Sequence, residues 1–131
     1  MRLLLDTHAF LWYMAGDGQL SDLARRLIDD TGNDRLLSAA VPWEMAIKYS
    51  AGKLELEEPF ETLIPRLIRQ NGLTVLAVSV EHAAAVATLP YPESGHRDPF
   101  DRLMVAQCMV EGVPILSVDS WFDDYEVERI W

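Results

Sequence analysis

The stretch His96-Arg97-Asp98-Pro99-Phe100-Asp101-Arg102-Leu103 decides how this chain is interpreted. The apolar run Met104-Val105-Ala106 follows directly, which is typical of a helix with a charged first turn and a buried body. Asp98 suits the N-cap, Pro99 the first helical position and Asp101 the third. Both carboxylates can then accept hydrogen bonds from free backbone N–H groups, as a shortened capping box. A cap needs only two acids, so the arrival of further acids here would indicate a metal site.

Composition limits the class of protein. With 131 residues, half of them hydrophobic, the chain can bury one core, and we expect a single domain over residues 1–131. Acids outnumber bases 21 to 11, and the net charge of −10 disfavours long-range attraction of a polyanion. Cys108 is the only cysteine, which excludes an internal disulfide. No apolar run approaches the roughly 20 residues that span a membrane, so we expect a cytoplasmic protein.

Short apolar runs alternate with helical patterns along the whole chain. The runs predict strands over residues 2–5, 35–38, 73–76 and 114–118, with a short last strand over 127–131. Helices are predicted over residues 8–14, 22–30, 59–70 and 99–111, with two more, one starting at Pro42 and one running from Ser79 to 89. Thr7 and Ser21 are the predicted caps of the first two helices, and Pro65 should kink or break the helix over 59–70. This alternation predicts a three-layer α/β/α sandwich with a mostly parallel sheet of four to five strands.

Acidic residues follow the predicted strands. Asp6 ends the first strand, Glu44 lies in the first turn of the helix after the second, and Asp119 follows the fourth. Because the carboxyl ends of parallel strands meet at one edge, these acids should converge there. Asp98 and Asp101 reach the same edge because their helix begins there. Such a cluster repels itself unless it holds a cation, and oxygen ligands alone suit Mg²⁺ or Mn²⁺.

Each acid also has a purely structural explanation. Asp98 with Asp101, and Asp119 with its following serine, could be helix caps. Glu44 could form a surface pair with Lys48, which lies one helical turn later. Asp6 is the hardest to explain structurally, because a carboxylate at the end of a buried strand is costly unless it is bound. Capping explains acids one at a time and does not predict that they converge.

Arg97, Arg102 and Lys48 are the bases placed near this edge, where they could contact phosphate groups or pair with neighbouring acids. Trp12 and Trp43 are expected in the core, with Ile47 on the same helix face as Trp43, although an exposed indole would suit a protein interface.

At these residues the chain resembles the PIN-domain ribonucleases, and in particular the VapC-type toxins of type II toxin–antitoxin pairs. The likeness runs nearly end to end. It is carried by Leu5-Asp6-Thr7-His8 with Trp12, by residues 38–48 with Glu44, by Gly52-Lys53-Leu54, by the stretch from His96 to Arg102 leading into Val105-Ala106-Gln107, and by Ser117-Val118-Asp119 with Phe122.

The resemblance implies a PIN-like sandwich and a set of roles. It makes Asp6, Glu44, Asp101 and Asp119 the catalytic metal-binding acids and Asp98 an additional acid, either a further ligand or a cap. Ser117 matches the family's serine or threonine near the last acid and is a candidate substrate contact. The resemblance also implies Mg²⁺- or Mn²⁺-dependent endonucleolytic cleavage of RNA, a homodimer, and inhibition by an antitoxin encoded alongside.

Three other functions share this length or fold. A phosphoacceptor receiver domain needs paired acids after the first strand and a lysine after the fifth, whereas Asp6 stands alone and no lysine follows Lys53. A haloacid-dehalogenase-like phosphatase needs a second aspartate two positions after Asp6. A catalytically silent PIN module remains possible, although all the matched acids are present.

Overall fold

The computed structural model describes residues 1–131, and its centre is a sheet of five strands that are parallel at every pairing. The strand order is β3-β2-β1-β4-β5, so the chain starts in the middle of the sheet and builds outward on both sides. The α/β architecture and the parallel sheet predicted from the sequence are confirmed. The strands are β1 Arg2–Leu5, β2 Asp34–Ser38, β3 Thr74–Leu76, β4 Ile115–Leu116 and β5 Arg129–Ile130.

Six helices and one short 3-10 helix connect and cover the strands. They are α1 Thr7–Ala15, α2 Asp22–Asp29, α3 Ala40–Ser50, α4 Phe60–Gln70, α5 Val80–Thr88, α6 Pro99–Glu111 and the 3-10 helix Ser120–Asp124. The caps predicted at Ser21, Ser79 and Asp98 are present, and Gly112 ends α6 in the left-handed conformation at φ 66°. The predicted break at Pro65 is wrong, because α4 continues through it with Ile64 buried beneath.

The central strand is buried along its length except at Arg2. Leu3, Leu4 and Leu5 have no exposed surface and belong to a core cluster of 23 residues. Leu5 is in register with Leu37 on one side and Leu116 on the other, so the residues that follow these strands lie at one edge of the sheet. Burial of both faces explains why the strand is a continuous apolar run rather than an alternating one. No helix is both long and apolar enough to cross a bilayer.

Two helices begin earlier than predicted. Asp6, not Thr7, is the N-cap of α1, since its carboxylate accepts a hydrogen bond from the Ala9 N–H. The helix predicted from Pro42 begins at Ala40, whose N–H donates to the Ser38 hydroxyl at the end of β2. Glu44 is therefore the fifth helical residue instead of the third.

The packing of α3 also differs from the prediction. Trp43 is 62% exposed and Ile47 is exposed beside it, so this face of α3 is not part of the core. The indole of Trp43 contacts Phe100 edge-on, with ring centroids 5.4 Å apart. Elsewhere, the alanine-rich α5 packs against α6.

Candidate active site

A polar cleft of about 150 Å³ lies at the carboxyl edge of the sheet. No hydrophobic residue lines it, and its walls hold five carboxylates and one ammonium group. The sheet, the start of α1, helix α3, the start of α6 and the segment after β4 all contribute to it. The lining residues are Asp6, Thr7, His8, Glu44, Lys48, Asp98, Asp101 and Asp119.

Asp6 is the most buried of the five acids, with 4% of its surface exposed. Its Oδ1 accepts a hydrogen bond of 2.7 Å from the Ala9 N–H, and its Oδ2 accepts one from the Ser117 hydroxyl. Burial raises the pKa of this carboxyl above its ordinary value, although both hydrogen bonds favour the ionised form. A positive charge in the cleft would therefore stabilise the ionised form of Asp6.

Ser117 connects two of the acids. Its hydroxyl donates to Asp6 and accepts the Asp119 N–H at 3.0 Å, and the residue is fully buried. With no exposed surface, Ser117 fixes the position of Asp6 relative to the segment that carries Asp119, which argues against the direct substrate contact predicted for it.

Glu44 and Asp119 are each held by a hydrogen bond to one carboxylate oxygen. The Thr7 hydroxyl donates to Glu44 Oε1 at 2.8 Å, and the Lys48 ammonium lies 3.7 Å from Glu44 Oε2. Asp119 is the N-cap of the 3-10 helix, where its Oδ1 accepts the Trp121 N–H at 2.9 Å. Both acids keep a carboxylate oxygen that makes no hydrogen bond.

Only half of the predicted capping box forms at the start of α6. Asp98 Oδ1 accepts the Asp101 N–H at 2.9 Å, but the Asp101 side chain does not return to the Asp98 backbone. Instead, Asp101 Oδ2 lies 3.0 Å from His96 Nε2. Burial and, after it, the nearby Asp98 charge raise the pKa of Asp101, the hydrogen bond with His96 lowers it, and the net pKa is about 6.

The three predicted basic residues have different positions. Lys48 lines the cleft, and Arg97 is exposed with its guanidinium 4.3 Å from the Tyr91 ring centre. Arg102 is only 4% exposed and donates to the carbonyls of Leu89 at 2.8 Å and Pro90 at 3.1 Å. The prediction that Arg102 stands at the rim is therefore wrong, because its charge is used to fix the preceding loop.

The donor atoms that line the cleft are of the type that hard divalent cations prefer. Every possible ligand is a carboxylate or hydroxyl oxygen, apart from His8, and burial disfavours the ionised forms of Asp6 and Asp101. No group of three or more such side chains is assembled closely enough to hold a metal ion as it stands. The five carboxylates nevertheless line one cleft, and this shared position is the observation that supports a cation site.

Comparison with known proteins identifies the family. A model of the PIN domain matches residues 3–128. The chain belongs to the PIN-domain family. This membership confirms the PIN-like fold and excludes the receiver-like alternative. Nucleases of this family generally use a divalent metal ion, in agreement with the oxygen donors of the cleft.

Two curated relatives of this PIN domain come from Mycobacterium tuberculosis (strain ATCC 25618 / H37Rv). Identity to Ribonuclease VapC16 is 42% over 60 residues, which covers 46% of this chain and 43% of that protein. Identity to Ribonuclease VapC22 is 29% over 119 residues, or 89% of this chain and 86% of that protein. The alignment with VapC16 thus spans less than half of that relative.

Solved structures share the fold at low sequence identity. The VapBC2 structure from Rickettsia felis, bound to a DNA fragment from its promoter, gives a TM-score of 0.71 at 12% identity, covering 99% of this chain and 98% of that chain. DNA-bound VapBC from Salmonella typhimurium gives 0.69 at 14% identity, with 99% and 97% covered.

Proposed function

We propose that this PIN domain is a metal-dependent endoribonuclease toxin of the VapC type, which hydrolyses RNA phosphodiester bonds and is inhibited by a cognate antitoxin. The observation that carries the proposal is the cleft, where carboxylates from separate segments meet at the carboxyl edge of a parallel sheet. The sequence likeness to two ribonucleases supports RNA as the substrate class.

Asp6, Glu44, Asp101 and Asp119 are the catalytic acids of this proposal, with Asp98 as an additional acid at the cleft. A Mg²⁺ or Mn²⁺ ion held by these oxygens would lower the pKa of an attacking water and offset charge on the phosphate. The protein's own part is to hold the carboxylates in place. Ser117 and the Ala9 N–H fix Asp6, and the Thr7 hydroxyl fixes Glu44.

RNA must approach a protein of net charge −10, so the few bases near the cleft matter. Lys48 has about half of its side chain exposed, and Arg97 directly precedes Asp98. We propose that these two residues contact phosphates, which positions the strand without reading its sequence. Binding should therefore weaken as salt rises, with a small slope, because few phosphates are neutralised.

The test is cleavage of labelled RNA by purified protein with Mg²⁺, with Mn²⁺ and with excess EDTA. Asp6→Asn should abolish cleavage, because Asn keeps the shape of the cap but removes the charge, whereas Glu128→Gln changes an exposed acid outside the cleft and should have no effect. Full activity in EDTA would refute the metal mechanism. RNA binding without cleavage under every condition would instead favour the silent PIN module.

The antitoxin is proposed to occupy an apolar groove of about 520 Å³ on the side of the molecule formed by α1, residues 54–58 and α4. Its only charged lining residues are Glu55, Glu57 and Glu58, so an amphipathic segment with lysine or arginine at its edges would fit. Trp12 lies in this groove, which agrees with the alternative that its indole belongs to a protein interface. The apolar lining residues are Phe10, Leu11, Trp12, Met14, Ala15, Leu54, Leu56, Leu63, Ile64 and Leu67.

Co-purification with the product of the adjacent reading frame tests this groove. Leu67→Glu places a charge in the groove and should weaken binding at least about tenfold. Leu23→Glu is the matched control, since Leu23 is exposed on α2 outside the groove and should keep the partner bound. Circular dichroism of both variants excludes unfolding as the cause, and equal binding by both would contradict this location.

We further propose that residues 1–131 act as one domain and associate as a homodimer in the cytoplasm. One sheet contains all the strands, and Val75, Val78 and Val80 present exposed apolar surface along β3 and the start of α5. Light scattering should give twice the 14.8 kDa chain mass. A monomer at every concentration would contradict the dimer.

A further inference from the structure

His96 is enclosed beside the cleft, with 9% of its surface exposed and both ring nitrogens bonded. Nδ1 lies 2.9 Å from the Tyr125 hydroxyl, and Nε2 lies 3.0 Å from Asp101 Oδ2. The imidazole stacks on Trp121, with centroids 5.4 Å apart and planes 15° apart. These contacts from two sides prevent the ring from turning.

The direction of these hydrogen bonds follows from the chemistry of the groups. Asp101 as a carboxylate only accepts, so His96 Nε2 must carry the hydrogen. The Nδ1 of the neutral ring is then an acceptor, and the Tyr125 hydroxyl donates to it. Arg102 only donates, and its Nη1 lies 3.4 Å from the Tyr125 oxygen. Each donor therefore points towards Asp101.

The beginning of this chain of donors is rigid. Arg102 is anchored by the carbonyls of Leu89 and Pro90 and lies 3.9 Å from the Tyr91 ring centre. Tyr125 is buried, and its ring meets His96 edge-on at 5.7 Å. Because Arg102 and Tyr125 are fixed, they also fix the position of His96. The orientation of the Asp101 carboxylate is therefore determined from outside the cleft.

We infer that His96 is a positioning residue: the donor chain Arg102–Tyr125–His96 occupies Asp101 Oδ2 and turns Oδ1 towards the cleft. The purpose of this positioning, which is to present Asp101 to a metal ion, rests on the proposed function. Asp101 Oδ1 makes no hydrogen bond within the protein, so it is the oxygen available to a divalent cation. His96 itself has no free nitrogen for proton transfer. Partners of ligating carboxylates typically change metal affinity about 10–100-fold when removed.

A second buried histidine, His82 in α5, provides a matched control. His82 is also buried, its Nδ1 accepts the Ser79 N–H at 3.0 Å, and its Nε2 lies 3.2 Å from Glu111. Glu111 ends α6 at the opposite end from Asp101. Replacing His82 therefore disturbs a similar buried hydrogen bond without touching the cleft.

The experiment compares His96→Phe, which keeps an aromatic ring but loses the donor, with His96→Gln, whose amide can still donate to Asp101. Calorimetric titration with Mn²⁺ should show affinity reduced at least about tenfold in His96→Phe and within about threefold of wild type in His96→Gln. His82→Phe should lose stability and keep its Mn²⁺ affinity. Equal Mn²⁺ affinity in wild type and His96→Phe would overturn the inference, as would equal losses in His96→Phe and His82→Phe.

NMR of the metal-free protein supplies a measurement that is independent of cleavage. The His96 imidazole should carry its hydrogen on Nε2, and Tyr125→Phe should perturb that signal by removing the partner of Nδ1. A hydrogen on Nδ1 in the neutral ring would overturn the inference. A wild type with the expected hydrogen on Nε2 but neither Mn²⁺ binding nor RNA cleavage would refute the proposed function and leave the donor chain standing.

Discussion

Replacing Asp101 by Asn should stabilise the metal-free protein at neutral pH while abolishing the proposed RNA cleavage. Burial and the nearby Asp98 raise the pKa of Asp101 to about 6 from an ordinary 3.8. The folded state therefore binds the Asp101 proton more tightly than the unfolded state does. The resulting stability is fully present below about pH 3.8 and is lost as the pH rises through about 6. Asn is uncharged at every pH and avoids this loss.

The size of the effect follows from the shift. A difference of about two pKa units corresponds to roughly 3 kcal/mol, at about 1.4 kcal/mol per unit. The side chain keeps 25% of its exposure, so solvent screening reduces this figure, and we expect a gain of about 1–2 kcal/mol at about pH 8. For a chain of this size that is an increase in Tm of roughly 3–8 °C. Asn should also preserve the contact with His96, because its amide oxygen accepts a hydrogen bond.

Thermal unfolding in EDTA across the range from about pH 4 to about pH 8 measures the difference between wild type and Asp101→Asn. The difference should be near zero at the acidic end and should grow as the pH passes about 6. Glu128→Gln removes one exposed charge outside the cleft and should give no such rise. A wild type that is equally stable or more stable than Asp101→Asn at about pH 8 would refute the electrostatic reasoning.

Three further variants test individual contacts. Asp98→Asn should change the free energy of unfolding by less than about 0.5 kcal/mol, because Asn caps a helix nearly as well as Asp. It should also lower the pKa of Asp101 as measured by NMR, and an unchanged pKa would contradict the charge repulsion between Asp98 and Asp101. Arg102→Met should cost about 2–4 kcal/mol in urea unfolding, since it leaves buried carbonyls unpaired; weaker RNA binding at unchanged stability would restore its rim role. Thr7→Val should cut Mn²⁺ affinity about tenfold with little loss of stability, and equal affinity would show that Glu44 needs no anchor.

Capping residues, whose effect extends over about one helical turn, are sufficient to predict many of the helix ends. Ser21, Ser79 and Asp98 with Pro99 mark helix starts through their own side chains, and Gly112 ends α6 through its own φ. The predicted start of α3 is too late because its N-cap, Ala39, offers no capping side chain, and the first helical N–H donates to Ser38, a residue of the preceding strand.

Residues whose partners are distant in sequence were predicted less well. Arg102 looked like a rim base because its local neighbours are charged, but its partners are loop carbonyls more than ten positions earlier. The spacing of His96 from Asp101 hints at their contact, but the sequence does not reveal the second contact of His96, because Tyr125 lies 29 positions away. Trp43 is exposed because no element buries that face of α3. Hydrophobic periodicity predicts which residues share a helix face, but not whether another element covers that face.

The cleft reconciles the capping and catalytic interpretations of its acids. The Oδ1 atoms of Asp98 and Asp119 each accept a hydrogen bond from a backbone N–H, and neither residue makes a hydrogen bond through Oδ2. Asp101 accepts a hydrogen bond from His96 at Oδ2, and its Oδ1 makes none. A carboxylate anchored through one oxygen has a fixed direction and one free ligand atom, and helix N-termini at α1 and α6 offset part of the mutual repulsion. Asp6 is the one acid of the cleft that accepts a hydrogen bond at both oxygens, and it is the most deeply buried, so its charge depends most on what the cleft contains.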